Sequence, residues 1–298
     1  MDWHYYILFW VCIAGLCLGS FYNVVILRSL SNESIVFPPS KCPKCGHKLY
    51  AWHNIPVLSY ILLRGKCYFC KEKISIQYPI VELLTMVMFG LTFLKFGISL
   101  KTLFVLIWVS GLIIMTVTDL KEKVVDCNIA IIMGVLGILY NVIAYGWRGL
   151  GLSLLGLLGC VIALELFARS GYPVAKTRAM GEADTYVAGA LGAIFGLYGV
   201  IPVLLYSLIC SLVIIIPIFF YKKFKNGDRM ICFSAIIFGV FTGIYYYFPS
   251  IISLALLALS GVYLAIRVIK NIGRGDVNYF PFVPALFAGA VICFCTLI

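Results

Sequence analysis

An all-α, polytopic membrane fold with about ten transmembrane helices is the architecture expected of this chain. Three features carry that expectation. Of the 298 residues, 63% are hydrophobic and 12% charged, roughly half the charge of an ordinary soluble domain. Apolar runs long enough to cross a bilayer recur along nearly the whole length. The one long polar stretch, Arg28 to Gln77, holds 8 of the 23 Lys and Arg residues and two Cys-x-x-Cys pairs.

The apolar runs fall at 4–27, 79–97, 101–118, 127–146, 150–168, 184–198, 200–221, 230–248, 250–267 and 280–298. The first starts Met1-Asp-Trp-His4, without a basic leading segment, and is too long for the apolar core of a signal peptide. It is therefore expected to stay in the membrane with its amino terminus outside. Alternating from that start, 20 Lys and Arg residues fall in inside loops, and only Lys95, Lys101 and Arg148 fall outside. That split obeys the positive-inside rule. The net charge of +11 is then mostly loop charge facing an anionic leaflet and calls for no nucleic-acid partner. Small-residue pairs such as Gly156/Gly159 and Gly189/Gly192 suit close helix packing in lipid.

The polar loop contains Cys42-Pro-Lys-Cys45 and Cys67-Tyr-Phe-Cys70, with 21 residues between the pairs. Each pair lets one tight turn aim two sulfurs at one ion, so four thiolates close a tetrahedral, structural zinc site. Two disulfides are the alternative, disfavoured by a loop placed in a reducing compartment. His47 and His53 share the loop, but four cysteines already complete a shell. The other cysteines lie in or beside apolar runs and read as packing residues.

Carboxylates in apolar runs are costly, so their positions are informative. Asp119 ends the third run and Asp184 opens the sixth. The charge-derived topology puts both at the inner boundary, on oppositely directed helices. Two facing carboxyl groups sharing a proton can activate water for hydrolysis. Equally, Asp184 can cap a helix and Asp119 can pair with Lys121 or Lys123. Asp126, Glu165 and Glu182 compete as acids, and Glu82, early in the second span, is a supporting candidate. No Gly-x-Ser-x-Gly or His-Glu-x-x-His occurs, so serine and zinc-protease chemistries lack their parts. Gly273-Arg-Gly275-Asp276 has no phosphate-loop context. A transporter with a metal-stapled loop is the rival class, but its ionisable groups belong near the midplane.

Several motifs make the chain resemble the bacterial type IV prepilin peptidase family of membrane aspartyl proteases. They are Gly19-Ser-Phe-Tyr-Asn-Val-Val-Ile-Leu-Arg28, Ser40-Lys-Cys-Pro-Lys-Cys-Gly-His47, Asn54-Ile-Pro-Val-Leu-Ser-Tyr60, Leu63-Arg-Gly-Lys-Cys67 and Tyr78-Pro-Ile-Val-Glu-Leu-Leu84. Pro281-Phe-Val-Pro-Ala-Leu-Phe-Ala-Gly289 matches the closing motif more loosely. The resemblance implies that Asp119 and Asp184 are the catalytic pair. It implies that the substrates are type IV prepilins or pseudopilins, cut after a Gly at the cytoplasmic face of the bacterial inner membrane. It further implies that the new amino terminus is methylated from S-adenosylmethionine. The expected organisation is a first helix (1–27), a cytoplasmic zinc loop (28–78) and a helical protease core (79–298). The first helix and this core together give eight family helices plus two inserted at about 228–275.

Four positions depart from the family pattern. Around the second aspartate, Gly181-Glu-Ala-Asp184-Thr-Tyr186 has Ala183 in place of a glycine and Tyr186 in place of a lysine. Asp126 stands where a proline usually follows the first aspartate. His53 stands where an acid usually precedes Asn-Ile-Pro. The two late spans are extra. The loss of an acid at His53 fits a dedicated protease without methyl transfer, and a non-enzymatic pilin assembly factor is the further alternative. The particular pilin and the oligomeric state are not written in the sequence.

Overall fold

The computed structural model of the protein describes residues 3–31, 33–34, 36–37, 39–169, 181–225, 229–248, 250–272 and 282–296. Lys176, Arg178, Gly273-Arg-Gly275-Asp276 and Pro281 lie outside the described residues. Among the described residues the regular structure is helical, apart from two isolated antiparallel bridges, Lys41–Lys48 and Lys66–Lys73. The helices are α1 (Trp3–Ser31), a 3-10 turn (Ala51–Asn54), α2 (Leu58–Leu62), α3 (Gln77–Phe96), α4 (Leu100–Glu122), α5 (Cys127–Arg169), α6 (Glu182–Lys225), α7 (Arg229–Tyr247), α8 (Ile251–Ile272) and α9 (Val283–Thr296). Five stretches among the described residues are long and apolar enough to cross a membrane: α1, α3, α4, α5 and Glu182–Val213 of α6. The molecule is thus a multi-pass, all-helical membrane protein.

Several helices overrun the apolar runs that announce them. α1 continues to Ser31 and takes Arg28 into its last turn, where Nη1 donates to the Ser34 carbonyl at 2.8 Å. α4 continues to Glu122, so Asp119 sits inside the helix and not at its end. Backbone hydrogen bonding carries a helix past the last apolar residue until the chain can leave. In α4 the last such bond runs from the Lys123 N–H to the Asp119 carbonyl, and the left-handed backbone of Lys123 (φ 56°) then turns the chain out of the helix.

The chain divides into two compact units, Met1–Val161 with Tyr186–Ile201, and Ile162–Thr185 with Pro202–Ile298. In the first unit α1 lies close along α3. A Cβ on Gly19 would stand 2.7 Å from the Glu82 Cα, and one on Gly15 2.8 Å from the Met86 Cα. Asn23 Nδ2 ties α1 to the Tyr78 carbonyl at 3.2 Å, and Tyr22 Oη donates to Ser110 Oγ of α4 at 2.6 Å. α3 has two faces. Ile80, Leu83, Val87, Leu91 and Leu94 are exposed, while Val81, Glu82, Thr85, Met88 and Phe89 are buried. The inner face mixes apolar packing with Glu82 and Thr85, so these polar groups are kept from lipid while the side chains turned outward are apolar.

α5 and α6 are each broken once by a glycine with positive φ, Gly146 (φ 61°) and Gly196 (φ 68°). Only glycine enters these regions without a Cβ penalty. At Gly146 the chain doubles back. Asn141 Nδ2 donates to Ser153 Oγ at 2.8 Å, whereas a straight helix would hold residues so spaced about 18 Å apart. Both arms of α5 lie against the first arm of α6. Gly134 and Gly137 approach Ala190 and Ile194 in parallel order, and Leu152, Gly156 and Val161 approach Gly196, Gly192 and Gly189 in antiparallel order. Gly156 and Gly192 bring the two backbones together so closely that a Cβ on either would collide with the other's carbonyl. Asn141 Nδ2 also reaches the Ala193 and Ile194 carbonyls at 3.0 Å each, where the Gly196 break deprives the helix end of partners.

In the second unit α7 and α8 pack together where Gly261 meets the Phe238 ring. Ser250 and Ser253 cap α8 reciprocally, each backbone N–H donating to the other's hydroxyl, at 2.9 and 3.1 Å. Gly289 of α9 lies on Val203 and Ser207 of α6. Glu165 pairs with Arg169 at 2.8 Å, one turn along α5.

Candidate active site and metal centre

Two small knuckles bring the four loop cysteines together. In the first, Cys42 N–H donates to the His47 carbonyl and Gly46 N–H to the Cys42 carbonyl, both at 2.9 Å. In the second, Cys67 N–H donates to the Glu72 carbonyl at 2.8 Å and Lys71 N–H to the Cys67 carbonyl at 3.0 Å. The Leu49-to-Ser40 and Ile74-to-Gly65 backbone bonds close the two knuckles in the same way. The second knuckle repeats the first with a shift of 25 residues, so Lys-Cys-x-x-Cys-x-x-Lys occurs twice. Cys42, Cys45, Cys67 and Cys70 are free thiols whose sulfurs all lie within 4.8 Å of one another. They form a possible metal-binding group. The Cys70 backbone N–H, working against burial, draws the Cys67 thiol down to about 7, toward the thiolate that binds metal.

His47 is outside this group and stacks on the Phe69 ring, with centroids 4.7 Å apart. His53 is buried among Tyr50, Trp52, Tyr68 and Phe69. Its Nδ1 accepts the Tyr50 N–H at 3.2 Å, which leaves the proton on Nε2. That buried nitrogen has no hydrogen-bond partner, and burial holds the imidazole below the ordinary histidine value.

Glu82 does something the sequence did not announce. Its Oε2 accepts the Val57 backbone N–H at 2.7 Å. Val57 is β-branched yet has φ 59° and ψ −48°. The Leu58 N–H returns to the Pro56 carbonyl at 2.5 Å, so Val57 is the centre of a strained γ-turn. No local signal in Asn54-Ile-Pro-Val-Leu marks it.

Asp119 and Asp184 are each 1% exposed. Asp119 lies in the first compact unit and Asp184 in the second. Near Asp119 on α4, Thr118 Oγ1 donates to the Met115 carbonyl at 3.0 Å, and Thr116, one turn back, has a buried hydroxyl without a hydrogen-bond partner. Asp184 is the third residue of α6 and not its cap. Its Oδ2 accepts the Gly181 N–H at 3.2 Å, the returning half of a capping box. Thr185, beside it, also has a buried hydroxyl without a partner. Asp126 serves the start of α5, where its Oδ1 accepts the Asn128 N–H at 2.9 Å.

Two family models match the chain. The bacterial peptidase A24 N-terminal domain covers residues 13–96, including the cysteine knuckles and Glu82. The type IV leader peptidase family covers residues 104–216, including Asp119 and Asp184. A Neisseria gonorrhoeae protein named prepilin leader peptidase/N-methyltransferase is 35% identical, over 65% of this chain and 76% of its own length. The chain belongs to the type IV leader peptidase family. A Legionella pneumophila relative of the same name is 30% identical over 80% of this chain and 88% of its own length. A Myxococcus xanthus one is 34% identical over 65% of this chain, but the match spans only 58% of that longer protein. No solved structure matches the chain. Within the leader peptidase family match, Asp119 and Asp184 are the two acids that sequence reasoning singled out.

Proposed function

We propose that the protein is a membrane aspartyl endopeptidase that removes the leader from type IV prepilin or pseudopilin precursors at the cytoplasmic face, with Asp119 and Asp184 as its catalytic pair. One observation carries the reading. Both carboxyl groups are 1% exposed on apolar helices, inside the stretch that matches the leader peptidase family. Carboxylates are not kept in such surroundings without use or partner. In the mechanism, one carboxylate takes a proton from the attacking water while the other, protonated, polarises the scissile carbonyl. The Gly181 N–H on Asp184 Oδ2 fixes that carboxyl group's rotation. A pilin-like substrate, a polar leader joined to an apolar helix, offers its scissile bond at the membrane edge, where water is available.

The proposed topology has ten crossings, with α5 and α6 contributing two each through Gly146 and Gly196. The amino terminus is outside and the knuckles and both aspartates are inside. The metal is Zn²⁺. A tetrahedral tetrathiolate needs sulfurs about 3.8 Å apart, so a group already within 4.8 Å fits after a small contraction. The ion holds the loop folded and takes no part in hydrolysis.

S-adenosylmethionine would supply a methyl group to the amine that cleavage releases, as the relatives' names suggest. A sulfonium calls for an anion or an open aromatic face. His53 offers a buried N–H donor in place of an anion, while Tyr50, Trp52 and Tyr68 around it are 55%, 42% and 47% exposed and leave aromatic surface on which a sulfonium could rest. The relatives' names support methyl transfer, and a narrower second reading, a peptidase without it, rests on the missing acid at His53 alone. Mass spectrometry of a co-expressed prepilin's amino terminus tests both readings. Leader removal that stops with Asp119→Asn and with Asp184→Asn supports the pair, and removal that survives either rejects it. A methyl group on the product rejects the narrower reading.

A further inference from the structure

We propose that α2 is an interfacial helix that seats the cysteine loop on an anionic phospholipid surface. It is a five-residue helix with no buried residue, and it turns large apolar side chains outward. Leu58 is 50% exposed, Ile61 63% and Leu62 65%. Facing water, such a patch would forgo about 25 cal/mol for each Å² left uncovered.

Its height relative to the membrane is fixed by a hydrogen bond. The Val57 N–H, immediately before α2, is held 2.7 Å from Glu82 Oε2. Glu82 lies about one and a half turns inside α3. α2 therefore begins level with the start of the α3 apolar run, where Ile80 and Leu83 turn toward lipid at 53% and 42% exposure. The outward face of α2 continues that surface at the depth where a bilayer changes from headgroup to acyl chain.

Charge names the occupant. From Arg28 to Gln77 the loop carries eight Lys and Arg against two acids, Glu33 and Glu72. Arg64 and Lys66 follow α2 directly. An apolar face flanked by cations matches an anionic leaflet, whose headgroups bind each nearby Lys or Arg. Backbone strain is accepted at both ends of the element, at Val57 (φ 59°) and Arg64 (φ 51°). Strain persists where surrounding structure enforces it, and at Val57 the enforcing contact is the Glu82 carboxylate on its N–H. Leu58, Ile61 and Leu62 dip into the acyl boundary, Arg64 and Lys66 meet phosphate, and the knuckles lie over the headgroups.

The test uses the full-length protein in nanodiscs of phosphatidylethanolamine and phosphatidylglycerol. Photoreactive benzoylphenylalanine is placed at Leu62 or, as control, at Lys48 in the first knuckle. Lipid adducts, read by mass spectrometry, are expected at Leu62 and absent at Lys48. Equal labelling at the two sites, or adducts at Leu62 only within the protein, overturns the proposal. So does an adduct to a co-reconstituted prepilin that replaces the lipid adduct, which would make the face a protein groove. The unmodified chain gives a second readout. Trypsin cleavage after Arg64 is expected to speed up when phosphatidylcholine replaces phosphatidylglycerol, and an unchanged rate overturns the role of charge.

Discussion

Lys71 adopts the same left-handed backbone as Gly46, its counterpart in the other knuckle, with φ of 61° and 73°. Each donates its N–H to the carbonyl of the first cysteine of its pair. The fold asks for one conformation twice. Glycine meets the demand at one place and a residue with a Cβ at the other. A Cβ on Gly46 would find nothing within 4 Å, so Gly46→Ala isolates backbone strain from crowding. It should destabilise the metal-loaded loop by about 1 kcal/mol. Lys71→Gly relieves the same strain but gives up the Lys71 contact over the Tyr68 ring, and should be near neutral. Zinc-release midpoints in chelator titrations of the two variants check both signs.

Metal content is the next expectation. Protein purified without chelator should hold about one zinc per chain, because four thiolates saturate one tetrahedral ion. Cys45→Ser should lose it. Stripping the metal should expose Arg64, Lys66 and Lys71 to trypsin while leaving the helical signal in circular dichroism nearly unchanged. The loop is too small to hold a core of its own, whereas the spans are held by lipid and by each other.

Substitutions of the two aspartates should separate chemistry from folding. Asp184→Asn keeps an oxygen to accept the Gly181 N–H and should retain wild-type thermal stability with no leader removal. Asp184→Ala loses that bond as well and should also melt lower, by the equivalent of about 1 kcal/mol. For Asp119, the Asn variant should likewise abolish cleavage of a co-expressed prepilin. Electrophoretic mobility of the pilin reads activity, and melting in detergent reads stability.

Asn141 should matter far more than its place in an apolar helix suggests. Its amide serves Ser153, Ala193 and Ile194 together. Asn141→Leu, close in volume, would strand carbonyls at the Gly196 break, at about 1–3 kcal/mol for each buried group left unsatisfied. Ser153→Ala removes only one partner and should be milder. Melting of the two variants in the same detergent ranks them.

Much of this was legible in the sequence because lipid simplifies the code. Hydropathy placed the starts and stops of the helices to within about five residues, and Gly146 and Gly196 fall near where neighbouring apolar runs meet. The cysteine spacing located the four thiols that form the possible metal-binding group. Other features were not legible because they depend on backbone or on distant partners. Val57 looks like any apolar residue in Asn54-Ile-Pro-Val-Leu, and its turn exists because a carboxylate from α3 holds its N–H. The knuckle repeat hid because Gly46 and Lys71 share a conformation and not an identity. The sequence allows Asp184 to cap a helix, but α6 starts two residues earlier, and the side chain reaches back to Gly181.

The reversal at Gly146 bears on how the chain enters a bilayer. A connector one residue long leaves no slack for the arm before it to insert alone while the arm after it waits in water. Asn141 and Ser153 are bonded across that reversal, and an unsatisfied amide is heavily penalised in hydrocarbon. The two arms should therefore pass into lipid as a single preassembled pair. A reporter tag spliced at Gly146 would disturb biogenesis before it could report on topology.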